Sequence, residues 1–316
     1  MEDYRKHNCE DDYMLGGTHQ FELDERNQNI QININGTLYP RAEARVSVFD
    51  SGFLLGDGVW EGLRVHQGVL AFETEHMDRL YAGAKAIGID IGLTRESLVR
   101  EITRTLEANG MSSGVHIRLI VSRGLKITPD QHPGANVGGP TVVIIPEYKK
   151  AVTRRLDDGL KLLTVHVHRG APDVQDPRLN SLSKLNCVIA CIQAANAGYD
   201  EALMLDPNGF VSTWNSTNFF IVTKGEVWTS TADYCMQGIT RDKVIRLCAE
   251  HNITVREKNF SLFDVYSADE VFVTGTFGGL IPVSEVDGRP IEDRTQANMI
   301  SRLQGLYEQL IISECS

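Results

Sequence analysis

Asp176-Pro177-Arg178-Leu179-Asn180-Ser181-Leu182-Ser183-Lys184-Leu185-Asn186 stands near the middle of a 316-residue chain and opens what its spacing predicts to be a helix. From Lys184 onward, Leu185, Val188, Ile189, Ile192 and Ala195 recur at three- and four-residue steps, an apolar stripe that runs along one helix face until Gly198. Ahead of it, Leu162-Leu163-Thr164-Val165-His166-Val167 alternates and is rich in branched residues, as a strand is, and the prolines at 172 and 177 break the chain between the two. Lys184 is therefore expected in the first turn of a helix that follows a strand and a proline-rich loop. A lysine there is by default a solvated charge, so its chemical reading has to come from its neighbours.

That run, continued through Ala194 and Gly198-Tyr199-Asp200-Glu201-Ala202, resembles the central segment of the class IV aminotransferases. These are fold type IV enzymes of pyridoxal phosphate, among them branched-chain aminotransferases, D-amino-acid aminotransferases and aminodeoxychorismate lyases. Their pattern reads aspartate-proline-arginine-isoleucine-lysine-serine-leucine-asparagine-tyrosine, and its lysine forms the Schiff base with the cofactor. An ungapped match puts Asn180 at the lysine and Lys184 at the tyrosine, an arginine in the lyases, which in the family sits by the cofactor's phenolic oxygen. Residues four apart on a helix share a face about 6 Å apart along the axis, a distance a lysine side chain spans. The resemblance thus implies a shifted Schiff-base lysine, Lys184, with Asn180 as a neutral hydrogen-bonding group in the vacated place.

Other stretches carry the same resemblance. Asp50-Ser51-Gly52-Phe53-Leu54-Leu55-Gly56-Asp57-Gly58-Val59-Trp60-Glu61 has the glycines of tight turns or close backbone approach. It is similar to a family signature whose aromatic positions wall the substrate pocket, with Leu55 and Trp60 standing at two of them. In His76-Met77-Asp78-Arg79-Leu80, Arg79 matches the family arginine that grips the cofactor phosphate, a charge-assisted contact. Strand alternation over 115–121 puts His116 and Arg118 on one face; Arg118 matches an arginine found in an active-site strand of some branched-chain enzymes, and His116 reads as a core histidine or a pocket residue. Gly238-Ile239-Thr240-Arg241 precedes a helical pattern, so its backbone N–H groups and the Thr240 hydroxyl would face an anion. Thr276, in Thr274-Gly275-Thr276-Phe277-Gly278-Gly279, resembles the family's second phosphate hydroxyl, and Phe277 lies on the substrate side. In Phe210-Val211-Ser212-Thr213-Trp214-Asn215-Ser216, Thr213 occupies the place of the glutamate that pairs with the pyridine nitrogen. A threonine cannot hold a pyridinium charge, so the ring would be a weaker electron sink.

The composition, 42% hydrophobic and 23% charged, is that of a globular protein. Its length points to two domains; behind a polar extension over 1–29, the resemblance implies a small N-terminal α/β domain over 30–150 and a larger, mixed β-barrel-like cofactor domain over 151–316. Order is expected to begin with a hairpin, residues 30–34 returning through 37–39 about Asn35-Gly36. The net charge of −11, with no basic run to offset it, argues against nucleic acid or an anionic membrane. No signal peptide, long apolar span or metal-ligand spacing is visible, and six cysteines without paired spacing fit a reducing cytoplasm. The reading is an α/β (α+β) homodimeric aminotransferase that moves an amino group between an amino donor and an oxo acceptor. Two alternatives stand beside it: a lyase or racemase of the same fold, and a pyridoxal-phosphate-binding homologue without transaminase activity.

Overall fold

The computed structural model describes residues 24–149, 159–216, 218–291 and 298–315. The expected hairpin is β1 (Gln31–Ile34) and β2 (Thr37–Pro40). Its turn residues Asn35 and Gly36 take φ of 50° and 81°, the two left-handed positions that a two-residue turn demands. With β3 (Gly58–His66), β4 (Val69–Leu70), β5 (Val115–Ser122) and β6 (Thr141–Tyr148) it forms a six-stranded antiparallel sheet in the order β2-β1-β6-β5-β3-β4. Helices α1 (Ser51–Leu55), α2 (Glu73–Ala86) and α3 (Arg95–Ala108) accompany it. Met77, Leu80 and Ala84 of α2 and Leu98, Ile102 and Leu106 of α3 meet the sheet in one core, the i, i+3, i+4, i+7 and i+8 spacing of an amphipathic helix. The expected extension over 1–29 lies mostly outside the described residues. Its end is tied down: Asn27 pairs with both backbone groups of Tyr148 at 2.8 Å.

A second, mixed sheet of nine strands follows. It holds β7 (Leu160–Thr164), β8 (Glu201–Leu205), β9 (Val211–Trp214), β10 (Asn218–Thr223), β11 (Glu226–Thr229), β12 (Val255–Glu257), β13 (Glu270–Gly275), β14 (Gly279–Val286) and β15 (Arg289–Pro290). Strand β7 runs parallel to both neighbours, β14 and β8, and no described strand is shared with the first sheet. The accompanying helices are α4 (Pro172–Gln175), α5 (Leu185–Asn196), α6 (Ile239–Glu250), α7 (Leu262–Tyr266) and α8 (Met299–Glu314).

The central stretch departs from expectation twice. Its helix begins only at Leu185, with Lys184 as N-cap. Residues 180–182 are extended and add to β3: Trp60 N–H donates to the Asn180 carbonyl (3.0 Å) and Leu182 N–H to the Gly58 carbonyl (2.9 Å). Backbone groups already paired with a strand cannot also close helical turns, so Asn180 and Lys184 do not share a helix face. A side chain at Gly58 would put its Cβ 2.7 Å from Leu182 Cδ1 and 2.5 Å from the Val121 carbonyl oxygen of β5, so the crossing strand comes this close only beside a glycine. The apolar stripe of α5 is also turned outward. Leu185 is 69% and Ile192 51% exposed, while the buried face is Cys187, Ala190 and Ala194. Ala190 and Ala194 lie against Val165, Ala202 and Met204, because a helix lying close on a sheet presents its small residues.

Candidate active site

The two sheets meet at a cavity whose wall comes from both halves of the chain. Trp60, Arg79, His116, Arg118 and Lys149 line it from one side, and Asn180, Trp214, Thr274, Thr276 and Phe277 from the other.

One end is built for an anion. Arg79, on α2, gives Nε and Nη2 to the two oxygens of Glu61 at 2.7 Å each, and its Nη1 reaches the Gln237 carbonyl at 3.3 Å. Glu61 is fully buried on β3 and is also held by His76 Nδ1 at 2.7 Å. Burial alone pushes the Glu61 carboxyl up; the Arg79 guanidinium, with the His76 ring, more than reverses this and leaves it below the ordinary carboxylate range. Near the Gln237 contact, α6 begins at an N-cap, Gly238, that offers no side-chain cap, so its first-turn N–H groups lack an intrahelical acceptor. Thr274 Oγ1, on the cavity wall, is buried without a partner. Ile239 and Thr240 are buried in that first turn, with the Thr240 hydroxyl 3.3 Å from Tyr307 Oη.

The opposite wall stacks cations on rings. The Arg118 guanidinium lies 3.7 Å from the Trp60 ring centre, Lys149 Nζ lies 4.6 Å from that of Phe277, and His116 meets Phe277 edge-on at 5.7 Å. Burial lowers the pKa of both Arg118 and Lys149.

At the family's lysine position, Asn180 gives Nδ2 to the Trp60 carbonyl at 2.6 Å, and its Oδ1 is buried without a partner. Lys184 does not line this cavity. It lines a neighbouring one with Arg169 and Ser183, its Nζ 5.7 Å from the Trp60 ring centre. Burial pushes the Lys184 amine down to about 8, with the charges of Arg169, Arg79 and Arg118 acting the same way and Cys187 opposing them. Leu55, Thr213, Gly238, Ile239 and Thr240 are likewise not among the residues that line the cavity. Leu55 sits on an open groove with Asp57 and Arg123, since α1 ends there at Gly56 in the left-handed region. Thr213 is buried in β9 opposite Met204, and its neighbour Trp214 lines the cavity instead. A change of strand register beside that pair, between Met204 and Leu205, accompanies the turn.

Glu61, His76, Lys149, Arg169 and Trp214 were not among the expected site residues. Glu61 stood in the glycine-rich signature, next to Trp60, and a carboxylate inside an apolar strand was the available signal. Nothing in the local sequence marks Lys149 or Arg169.

A family model described as amino-transferase class IV matches residues 58–286. The chain belongs to the class IV aminotransferases. Among curated relatives it is 40% identical over 285 residues to a putative branched-chain-amino-acid aminotransferase of Methanocaldococcus jannaschii, covering 89% of this chain and 96% of the relative. It is 42% identical over 277 residues to branched-chain-amino-acid aminotransferase-like protein 2 of Arabidopsis thaliana, covering 88% of this chain but 49% of the relative. The chain thus spans about half the length of the Arabidopsis relatives it matches. Among solved structures, the T.th. branched-chain amino acid aminotransferase complexed with N-(5'-phosphopyridoxyl)-L-glutamate superposes with a TM-score of 0.82 at 29% identity, over 90% of this chain and 95% of that one. The Escherichia coli enzyme does so with 0.83 at 27%, over 91% and 96%. The fold is the expected fold type IV α/β architecture.

Two features suit the cavity to the family's cofactor, pyridoxal phosphate. The unpartnered Thr274 hydroxyl and the open α6 N-terminus stand near a clamped arginine, and the unpartnered Asn180 carbonyl faces the same space. Asn180 stands where the resemblance expects the anchoring lysine.

Proposed function

We propose that the protein is a pyridoxal-phosphate-dependent aminotransferase that exchanges an amino group between an amino acid or amine and a 2-oxo acid or ketone, with Lys184 as its working amine. The observation that carries this reading is Arg79, fixed by the buried Glu61 at the edge of a cavity where Thr274 Oγ1 and Asn180 Oδ1 lack partners. Arg79, the N–H groups of Ile239 and Thr240 and the Thr276 hydroxyl would hold the phosphate. When bound, the cofactor supplies an electron sink that makes the Cα–H bond of an amino acid acidic.

The chain's own residues do the rest. Lys184, titrating near 8, is substantially unprotonated at mildly alkaline pH and so can act as nucleophile, and then as the base that takes and returns the proton at Cα. Its side chain has to turn past Trp60 to do so, which the unbranched stem allows. Asn180 stays neutral and offers Oδ1 to a donor in the cavity. Trp60, Phe277 and Trp214 keep water from the reacting atoms, and Arg118 is available to a substrate carboxylate.

The same reading makes the protein a homodimer. Its support is the outward apolar face of α5 together with the exposed Val48, Phe53 and Ile127; Leu55, exposed in α1 with Phe53, would face the partner. The division near residue 150 has the support of two sheets with no common strand, although residues 150–158 lie outside the described ones. A cytoplasmic setting has the support of free thiols at Cys187, Cys191, Cys235, Cys248 and Cys315. No described helix is long and apolar enough to cross a membrane.

The test is transfer of labelled amino nitrogen. Incubation with pyridoxal phosphate, a panel of ¹⁵N-amino acids and 2-oxo acids should move the label onto an oxo acid. Oxo acid and ammonia released over many turnovers, or racemisation, without an acceptor would show a lyase or racemase instead; one equivalent of oxo acid per active site is the first half of the transfer itself.

A further inference from the structure

The second cavity, of about 250 Å³, lies against the start of α5 and is lined by Arg169, Gln175, Asp176, Ser183, Lys184 and Asn186, among others. Arg169 and Lys184 converge on it, and the Asn186 Oδ1 acceptor on its wall is already taken by the Cys187 N–H at 2.8 Å. Arg169 Nη1 donates to Cys187 Sγ at 3.1 Å, and Arg169 Nε is buried with no partner. Helix α5 is twelve residues long and its N-cap, Lys184, provides no side-chain cap. The first-turn N–H groups of Leu185 and Asn186 therefore have no acceptor within the helix. The carboxylate on the wall, Asp176, is taken by Arg178, which reaches it through Nε at 3.0 Å and Nη2 at 2.6 Å. Gln175 spends its amide N–H groups on Ser181 Oγ and the Ser183 carbonyl.

We propose that this cavity is an oxyanion site, where one carboxylate or phosphate group is held by Arg169 and the first turn of α5, next to the Lys184 amine. The site stands on this geometry alone; its consequence rests on the reading of Lys184 as the working amine. An anion beside Lys184 favours the ammonium form, opposing the burial and the Arg169, Arg79 and Arg118 charges that lower its titration, as Cys187 already does. Anion and free amine then oppose one another. A substrate or product carboxylate, or free phosphate, would thus leave less of the amine free to react.

The amine itself reports occupancy. The full-length chain, without added cofactor, is reductively methylated at pH 8 with formaldehyde and cyanoborohydride, and modification of Lys184 is followed by peptide mapping. Acetate or inorganic phosphate, against chloride at equal ionic strength, should slow methylation of Lys184 about twofold, the effect at pH 8 of a half-unit rise in a titration that lies near 8. Slowing by acetate identifies a carboxylate site, and slowing by phosphate alone a phosphate site. The effect should vanish in Arg169→Gln and persist in Arg79→Gln, which removes the guanidinium of the central cavity. If Arg169→Gln does not fold, Arg169→Lys should need severalfold more anion for the same slowing. Absence of any anion effect, or an effect that survives in Arg169→Gln and is lost in Arg79→Gln, overturns the proposal. Cofactor trapped on a different lysine would overturn the Lys184 reading and leave this result standing.

Discussion

Glu61 shows how one buried charge can organise a site. Two bonds from Arg79 and one from His76 meet on a carboxylate with no exposed surface, so removing its charge strands a guanidinium rather than sparing a cost. Breaking a buried pair in this way costs on the order of 3–5 kcal/mol. Glu61→Gln is therefore expected to lower the denaturation midpoint and to weaken pyridoxal phosphate binding, read by equilibrium titration; unchanged affinity would separate Glu61 from the anion end. The linkage has a definite sign. The folded carboxyl lies below its ordinary range, so its contribution is present above the unfolded value and is lost as pH falls through the folded one. Lys184 moves the opposite way relative to charge: its amine is freed as pH rises through about 8. Its reaction with an aldehyde should increase about tenfold from one unit below that point to one unit above. Mapped labelling that is flat across this range would contradict the burial argument. At this scale the sequence was legible where residue type and motif carry the chemistry, as at Arg79, Thr276 and Asn180, which all line the cavity. It was illegible where a contact across the fold decides, as for Arg169 beside Cys187 or Lys149 over Phe277.

Among the elements, the hairpin and β5 were legible because their periodicity and turn residues act locally. The central stretch was not. Its residues 180–182 look like a helix entry, yet β3 claims their backbone groups, a long-range pairing that no local pattern encodes. Likewise α5 carries an apolar stripe that faces out, since Ala190 and Ala194 fit closely on the sheet where larger residues would not. Gly58 tests the strand crossing. Gly58→Ala puts a methyl group against the Val121 carbonyl and Leu182, and overpacking of this kind costs about 1–3 kcal/mol. A lowered thermal midpoint with a weakened hold on residues 180–182, read by hydrogen exchange at Leu182, is the expected outcome; wild-type exchange there would contradict the crossing.

In the whole molecule, two sheets without a common strand are held together by the 180–182 crossing, the Lys243–Glu75 ion pair and the Arg79–Gln237 contact. Two of them place a residue on the cavity wall, Asn180 in the crossing and Arg79 in the last contact, so the packing of the halves bears on the shape of the site. The outward stripe of α5 extends the argument beyond one chain. Val188→Asp with Ile192→Asp should turn a dimer into a monomer in analytical ultracentrifugation, and wild type already sedimenting as a monomer would remove that face from the account. The measurement that bears most directly on the central claim is borohydride reduction of the protein loaded with pyridoxal phosphate, followed by peptide mapping. The account predicts pyridoxyl on Lys184, loss of the label in Lys184→Ala, and its return on residue 180 when Asn180→Lys is added to that variant, because Asn180 already faces the cavity. Pyridoxyl on Lys149 or any other lysine, or a loaded protein with no reducible attachment, would contradict it.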